Sequence, residues 1–99
     1  MIIKFNPQYT TTNSVIELVE GTLKYNEEEV VLADIPNGAT ASNEYITIDK
    51  DMDGNIELVV RWQYTEPTNL NGFPADIVVD DNYSGVIAPI KSTKESEWY

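Results

Sequence analysis

The run from Ile56 to Tyr64 places Ile56, Leu58, Val60, Trp62 and Tyr64 on one side of an extended chain and Glu57, Val59, Arg61 and Gln63 on the other. Side chains alternate with period two only in a pleated strand, so this segment is a half-buried β-strand with its apolar row turned inward. No stretch of about 11 residues or more anywhere in the chain holds apolar positions at helical spacing. The chain is therefore restricted to strands joined by turns, and Trp62 and Tyr64 are expected in the core.

The partner of that strand is expected at Tyr45 to Ile48, with Ile46 and Ile48 inward, joined to it through Asp49-Lys50-Asp51-Met52-Asp53-Gly54-Asn55. Asp-Gly within such a connection is a strong hairpin signal. Ser14 to Glu20 and Thr22 to Tyr25 form an earlier pair around Gly21, followed by Glu29 to Ala33 beyond Asn26-Glu27-Glu28. Val15, Ile16, Leu18, Leu23, Tyr25, Val30 and Leu32 supply its apolar positions, with Asn26 suited to a left-handed turn. Ile35-Pro36-Asn37-Gly38 reads as a β-turn with Pro second and Gly fourth, and Thr40 to Asn43 carries the chain to the next strand. Met1 to Phe5 is an opening strand ended by Asn6-Pro7, Thr65 to Pro74 is the long loop, and Ala75 to Val79 and Gly85 to Ile90 are short strands around Asp80-Asp81-Asn82. The expectation is an all-β fold: an antiparallel meander of about six or seven short strands forming a small sandwich or half-barrel. Residues 1–90 make one β domain, and 91–99 make a flexible polar tail.

Composition narrows the function. The chain has 99 residues, enough for one domain. It has neither Cys nor His, which removes thiolate metal sites, thiol nucleophiles and the commonest general base. Six Lys and Arg against 17 Asp and Glu give a net charge of −11, which opposes direct binding to nucleic acid or an anionic membrane. The opening Met1-Ile2-Ile3-Lys4 lacks the apolar stretch of a signal peptide, so synthesis and residence in a cytoplasm are expected. The carboxylates single out no acid–base pair, and Ser or Thr lacks a His to activate it; no enzyme activity and no cofactor are expected.

One motif carries metal chemistry. Asp49, Asp51, Asp53, Gly54 and Glu57 follow the first nine positions of a calcium-binding EF-hand loop, where alternating carboxylates suit a hard cation. Position twelve, which should supply a bidentate Glu, is Val60. Any calcium site at Asp49, Asp51, Asp53 and Glu57 is therefore a weak one, and an acidic solvated turn is the competing reading. Glu27-Glu28-Glu29 and Asp80-Asp81 are charged turns that limit edge-to-edge strand association, or a surface imitating DNA phosphates. Trp98 and Tyr99 follow a polar stretch and could anchor in a partner's pocket.

In order, Phe5-Asn6-Pro7, Gly21-Thr22-Leu23 with Asn26-Glu27, Ile35-Pro36-Asn37-Gly38-Ala39-Thr40, Asp53-Gly54-Asn55-Ile56-Glu57-Leu58 and Phe73-Pro74 resemble a family of small uncharacterised bacteriophage and prophage proteins encoded near tail genes. The resemblance spans about residues 1 to 90 and implies a phage origin and a part in building or decorating the tail. It carries no site residue, cofactor or activity. The expected function is a non-enzymatic binding or assembly protein whose partner is another phage structural protein, made in the bacterial host cytoplasm and carried in the virion. A homo-oligomer is compatible with it. The alternative is an acidic DNA mimic that inhibits a host nucleic-acid-binding protein.

Overall fold

The computed structural model describes residues 1–93. The chain is all-β, built as two sheets packed face to face. Sheet A has the strand order β5-β6-β7-β1-β8 and sheet B the order β4-β3-β2-β9. The strands are β1 (Ile2–Tyr9), β2 (Ile16–Val19), β3 (Thr22–Tyr25), β4 (Glu28–Val31), β5 (Thr40–Ser42), β6 (Ile46–Lys50), β7 (Ile56–Tyr64), β8 (Ile77–Val78) and β9 (Gly85–Val86). A 3-10 turn follows β4 at Leu32–Asp34, and one helical turn, α1, spans Asn69–Gly72.

Hairpins β2-β3-β4 and β6-β7 are antiparallel, as their turn residues predict, and β5 adds to β6 in the same sense. At the β2-β3 turn Glu20 (φ 49°) and Gly21 (φ 79°) both lie left-handed, the pairing that matches the twist of a two-residue hairpin. Asn26 (φ 54°) opens the β3-β4 turn as expected. The meander breaks at β1, which lies between β7 and β8 and runs parallel to β7 over Ile2 to Tyr9. Adjacent strands of opposite sense need only a turn, whereas this parallel pair closes the sheet across most of the sequence.

β1 also passes straight through Asn6-Pro7, where it was expected to stop. Thr10 N–H reaches Tyr64 O at 2.9 Å and Met1 exchanges hydrogen bonds with Val79 on the other side at 3.0 Å. Even-numbered residues of β1 therefore direct their amides to β7, and Pro7, an odd one, faces the opposite side. Its missing N–H costs no bond with β7.

The core is built by Ile3, Phe5, Ile46, Ile48, Leu58 and Val60 of sheet A, which meet Ile16, Leu18, Leu23 and Tyr25 of sheet B and Ile87 just after β9. Trp62 and Tyr64 are half-buried, because β1 and β7 run on past this core. There Trp62 meets Phe5 edge-on at 5.7 Å and Tyr64 meets Tyr9 at 5.7 Å. The predicted long loop folds over this overhang as α1. Thr68 caps it, and Asn71 Oδ1 accepts the Trp62 indole N–H at 3.2 Å.

Other boundaries shift for local reasons. Val15 is 66% exposed and precedes β2, held outside the core by bonds to Asn26. The Pro36 turn closes one residue later than predicted, through Ala39 N–H to Pro36 O at 3.1 Å, so that Gly38 (φ 81°) takes the left-handed third position. β8 and β9 belong to different sheets, and the chain crosses between them at Asp80 to Ser84. Lys91, Ser92 and Thr93, assigned to the tail, run beside Phe73 to Ala75: Ala75 N–H reaches Lys91 O at 2.8 Å and Thr93 N–H reaches Phe73 O at 2.7 Å. Trp98 and Tyr99 lie outside the described residues.

Candidate binding surface

The acidic hairpin turn joins β6 to β7. Asp51 Oδ1 accepts the amides of Asp53 (2.9 Å) and Asn55 (2.8 Å), and Oδ2 accepts the Asn55 side-chain amide at 3.1 Å. The Asn55 backbone N–H, then its side-chain amide, hold the Asp51 carboxyl below its ordinary value. Asp49 Oδ1 accepts the Thr40 hydroxyl at 2.5 Å, and Glu57 pairs with Lys4 at 3.0 Å. Val60 is fully buried. Each of Asp49, Asp51 and Glu57 thus has a partner within the fold, and among the described residues no three carboxylates converge on a cation position. Asp51 organises the turn, Asp49 has only a neutral hydroxyl donor, and the Asp53 carboxylate accepts no hydrogen bond from the described residues.

A second polar cluster joins the sheets. The buried Tyr25 hydroxyl donates to Arg61 O at 2.7 Å and lies 3.0 Å from Ser14 Oγ, which in turn accepts Gln63 N–H at 2.8 Å. Burial pushes the Tyr25 hydroxyl above its usual pKa. Tyr25 stacks on Tyr45 at 5.4 Å, and the Arg61 guanidinium sits 5.2 Å from the Tyr45 ring. These contacts fasten sheet B to sheet A.

The sheet edges differ sharply in how they are protected. At β4 the outward side chains are Glu29 and Val31, beside Glu27 and Glu28. At β9 the Val86 carbonyl accepts the Tyr83 hydroxyl at 3.1 Å, and Gly85 lets that ring lie close, since a Cβ there would stand 2.7 Å from the hydroxyl. Beyond β8, the free side of β1 carries Pro7 and packs against α1. Charge, cover and proline are the devices that stop strands from pairing with foreign chains.

β5 has none of them. Lys50 N–H to Ala39 O (3.0 Å) and Asn43 N–H to Ile46 O (2.9 Å) show that odd-numbered residues of this strand face β6. Thr40 and Ser42 consequently direct both N–H and C=O to the open side of sheet A, and both are exposed. Among the described residues those four backbone groups have no partner. Sequence reasoning read Thr40 to Asn43 only as a connection to the next strand, so it found neither β5 nor the edge, which depends on where β1 inserts.

Comparison with protein-family models, with curated proteins and with solved structures finds no match for the chain. Among the described residues no helix is long and apolar enough to cross a membrane.

Proposed function

We propose that this protein is a non-enzymatic binding or assembly module of phage origin, associated with tail proteins, which takes its partner by adding a strand at β5. The observation that carries the reading is the outward N–H and C=O of Thr40 and Ser42, on a sheet edge that has no charge, cover or proline among the described residues. Backbone groups of this kind bind an extended segment through main-chain hydrogen bonds, while alternate side chains supply specificity. The resemblance of the turn motifs to those of small phage proteins supports the origin, and with it synthesis in the bacterial host cytoplasm and residence in the virion.

The acidic DNA-mimic reading receives less support from the surface. On sheet B the outward row Glu17, Lys24, Glu29 alternates in sign, with Lys24 and Glu29 paired at 3.5 Å. A phosphate row does not alternate.

The test is a pull-down from infected or induced cells with the intact chain and with Ser42→Pro, at about 50 and 200 mM salt, the range over which phosphate-type contacts weaken steeply. Pro at 42 removes an outward N–H while leaving the bonds to β6 in place. A phage structural protein captured at both salts and lost with Ser42→Pro is the expected result. Capture of a host nuclease or repressor at the lower salt alone would reject assembly in favour of mimicry.

A further inference from the structure

We infer that the strand received at β5 carries a Lys or Arg opposite Thr40 and an apolar residue opposite Ala41; this rests on the β5 docking reading. Three rows of sheet A fix that pattern. The outer row running inward from Thr40 is Thr40, Asp49, Glu57, Ile2 and Val78, by the pairings of β5, β6, β7, β1 and β8. Asp49 and Glu57 therefore stand directly opposite one another, an arrangement that destabilises a sheet unless a cation intervenes.

Only one of the two is compensated. Lys4 Nζ lies 3.0 Å from Glu57 Oε1. Lys50, the next residue after Asp49, donates instead to the carbonyls of Leu32 (3.3 Å) and Ile35 (3.0 Å), which holds its charge on the other side of the sheet. Asp49 is left with the Thr40 hydroxyl, a neutral donor 2.5 Å away. That bond also leans the carboxylate toward β5. A strand added beyond β5 lies two spacings, about 9.6 Å, from β6, a span that an extended Lys or Arg side chain and a carboxylate leaning toward β5 cover together.

The adjacent rows differ. Ala41 faces inward beside Ile48 and Leu58 and packs against the core, so an apolar side chain opposite it in the added strand would continue that apolar row. Ser42 leads the row Thr47, Val59, Lys4, which offers hydroxyls and ends on a cation. The acidic demand is thus confined to the Thr40 row. A net charge of −11 on each copy favours a basic partner over a second copy of this chain at the same edge.

The probe is an acetylated, amidated pentapeptide, Thr-Lys-Val-Lys-Thr, which sets Lys opposite Thr40 in either direction, with Thr-Glu-Val-Glu-Thr as its counterpart. Each is titrated to millimolar concentration into the full-length chain while the backbone amide resonances are followed. The expected result is selective displacement of the Thr40 and Ser42 amides by the lysine peptide, loss of the effect in Ser42→Pro, and binding about two- to five-fold weaker in Asp49→Asn, the range of an exposed ion pair. Equal displacement of those two amides by both peptides overturns the basic partner and leaves β5 docking intact. Displacement by neither overturns both. If the same amides shift with protein concentration alone, the edge is filled by a second copy and the basic partner is rejected. A retained spectrum for Ser42→Pro shows that the variant is folded.

Discussion

Both carboxylate oxygens of Asp51 are taken by Asp53 and Asn55, which makes this side chain the organiser of the β6-β7 turn. Its carboxyl is held below the ordinary value, so the folded state favours the charged form. The stabilisation is fully present above the unfolded value near pH 4 and disappears as pH falls through the lowered folded value. Asp51→Ala should accordingly lower the melting temperature at pH 7, and the gap to wild type should narrow below about pH 4. A gap that does not change with pH would place the effect in backbone entropy instead. The same bonds bear on cations. With Asp51 satisfied, Asp49 on Thr40 and Glu57 on Lys4, 1 mM calcium should move the melting temperature by less than about one degree. A calcium-induced rise of several degrees that Asp51→Ala abolishes would restore the metal site.

At the level of elements, β7 has two halves with different duties. Leu58 and Val60 are fully buried between the sheets, whereas Trp62 and Tyr64 serve the overhang that α1 covers. Leu58→Ala should cost about 2 to 5 kcal/mol through lost burial and the cavity left behind. Trp62→Ala should cost about 2 kcal/mol, since only part of the ring leaves water on folding. The second change has a local signature as well. Losing the indole N–H to Asn71 frees α1, so the Gly72 and Phe73 amides, bonded to Thr68 O and Asn69 O at 2.8 Å each, should exchange faster while core amides of β7 do not. Equal loss of protection in both regions would mean that overhang and core unfold as one unit.

For the molecule as a whole, a charge of −11 on a 99-residue chain is a standing repulsion, and the four ion pairs among the described residues involve only exposed or half-exposed carboxylates. Raising salt from about 10 to 150 mM shortens the screening length from about 30 to 8 Å. Relief of repulsion should then exceed the weakening of surface pairs, each of which contributes about 0 to 1 kcal/mol. A rise in melting temperature of about 3 to 6 °C is expected, which corresponds to a little under 1 kcal/mol for a domain of this size. A fall with salt would show that ion pairs outweigh repulsion.

Local periodicity and turn chemistry determined most of the strands, though not β5, whose residues read only as a connection. Ile56–Tyr64 has the boundaries read from its alternation, Ile46 and Ile48 face inward, and Gly21 and Asn26 stand at turns as their backbone freedom requires. Such features depend on neighbours within a few residues, so they are legible in a linear string. The place of β1 is not, because parallel pairing with β7 is decided by packing between residues far apart in sequence. That one insertion carries the chain through Pro7, removes the simple meander, and turns Trp62 into part of an overhang. The fate of the acidic loop was equally hidden, since Lys4 and Thr40 reach Glu57 and Asp49 only across strands. The open edge at β5 follows from the same cause. A strand's own residues specify that it pairs, and only the assembled sheet specifies which strand is left without a neighbour.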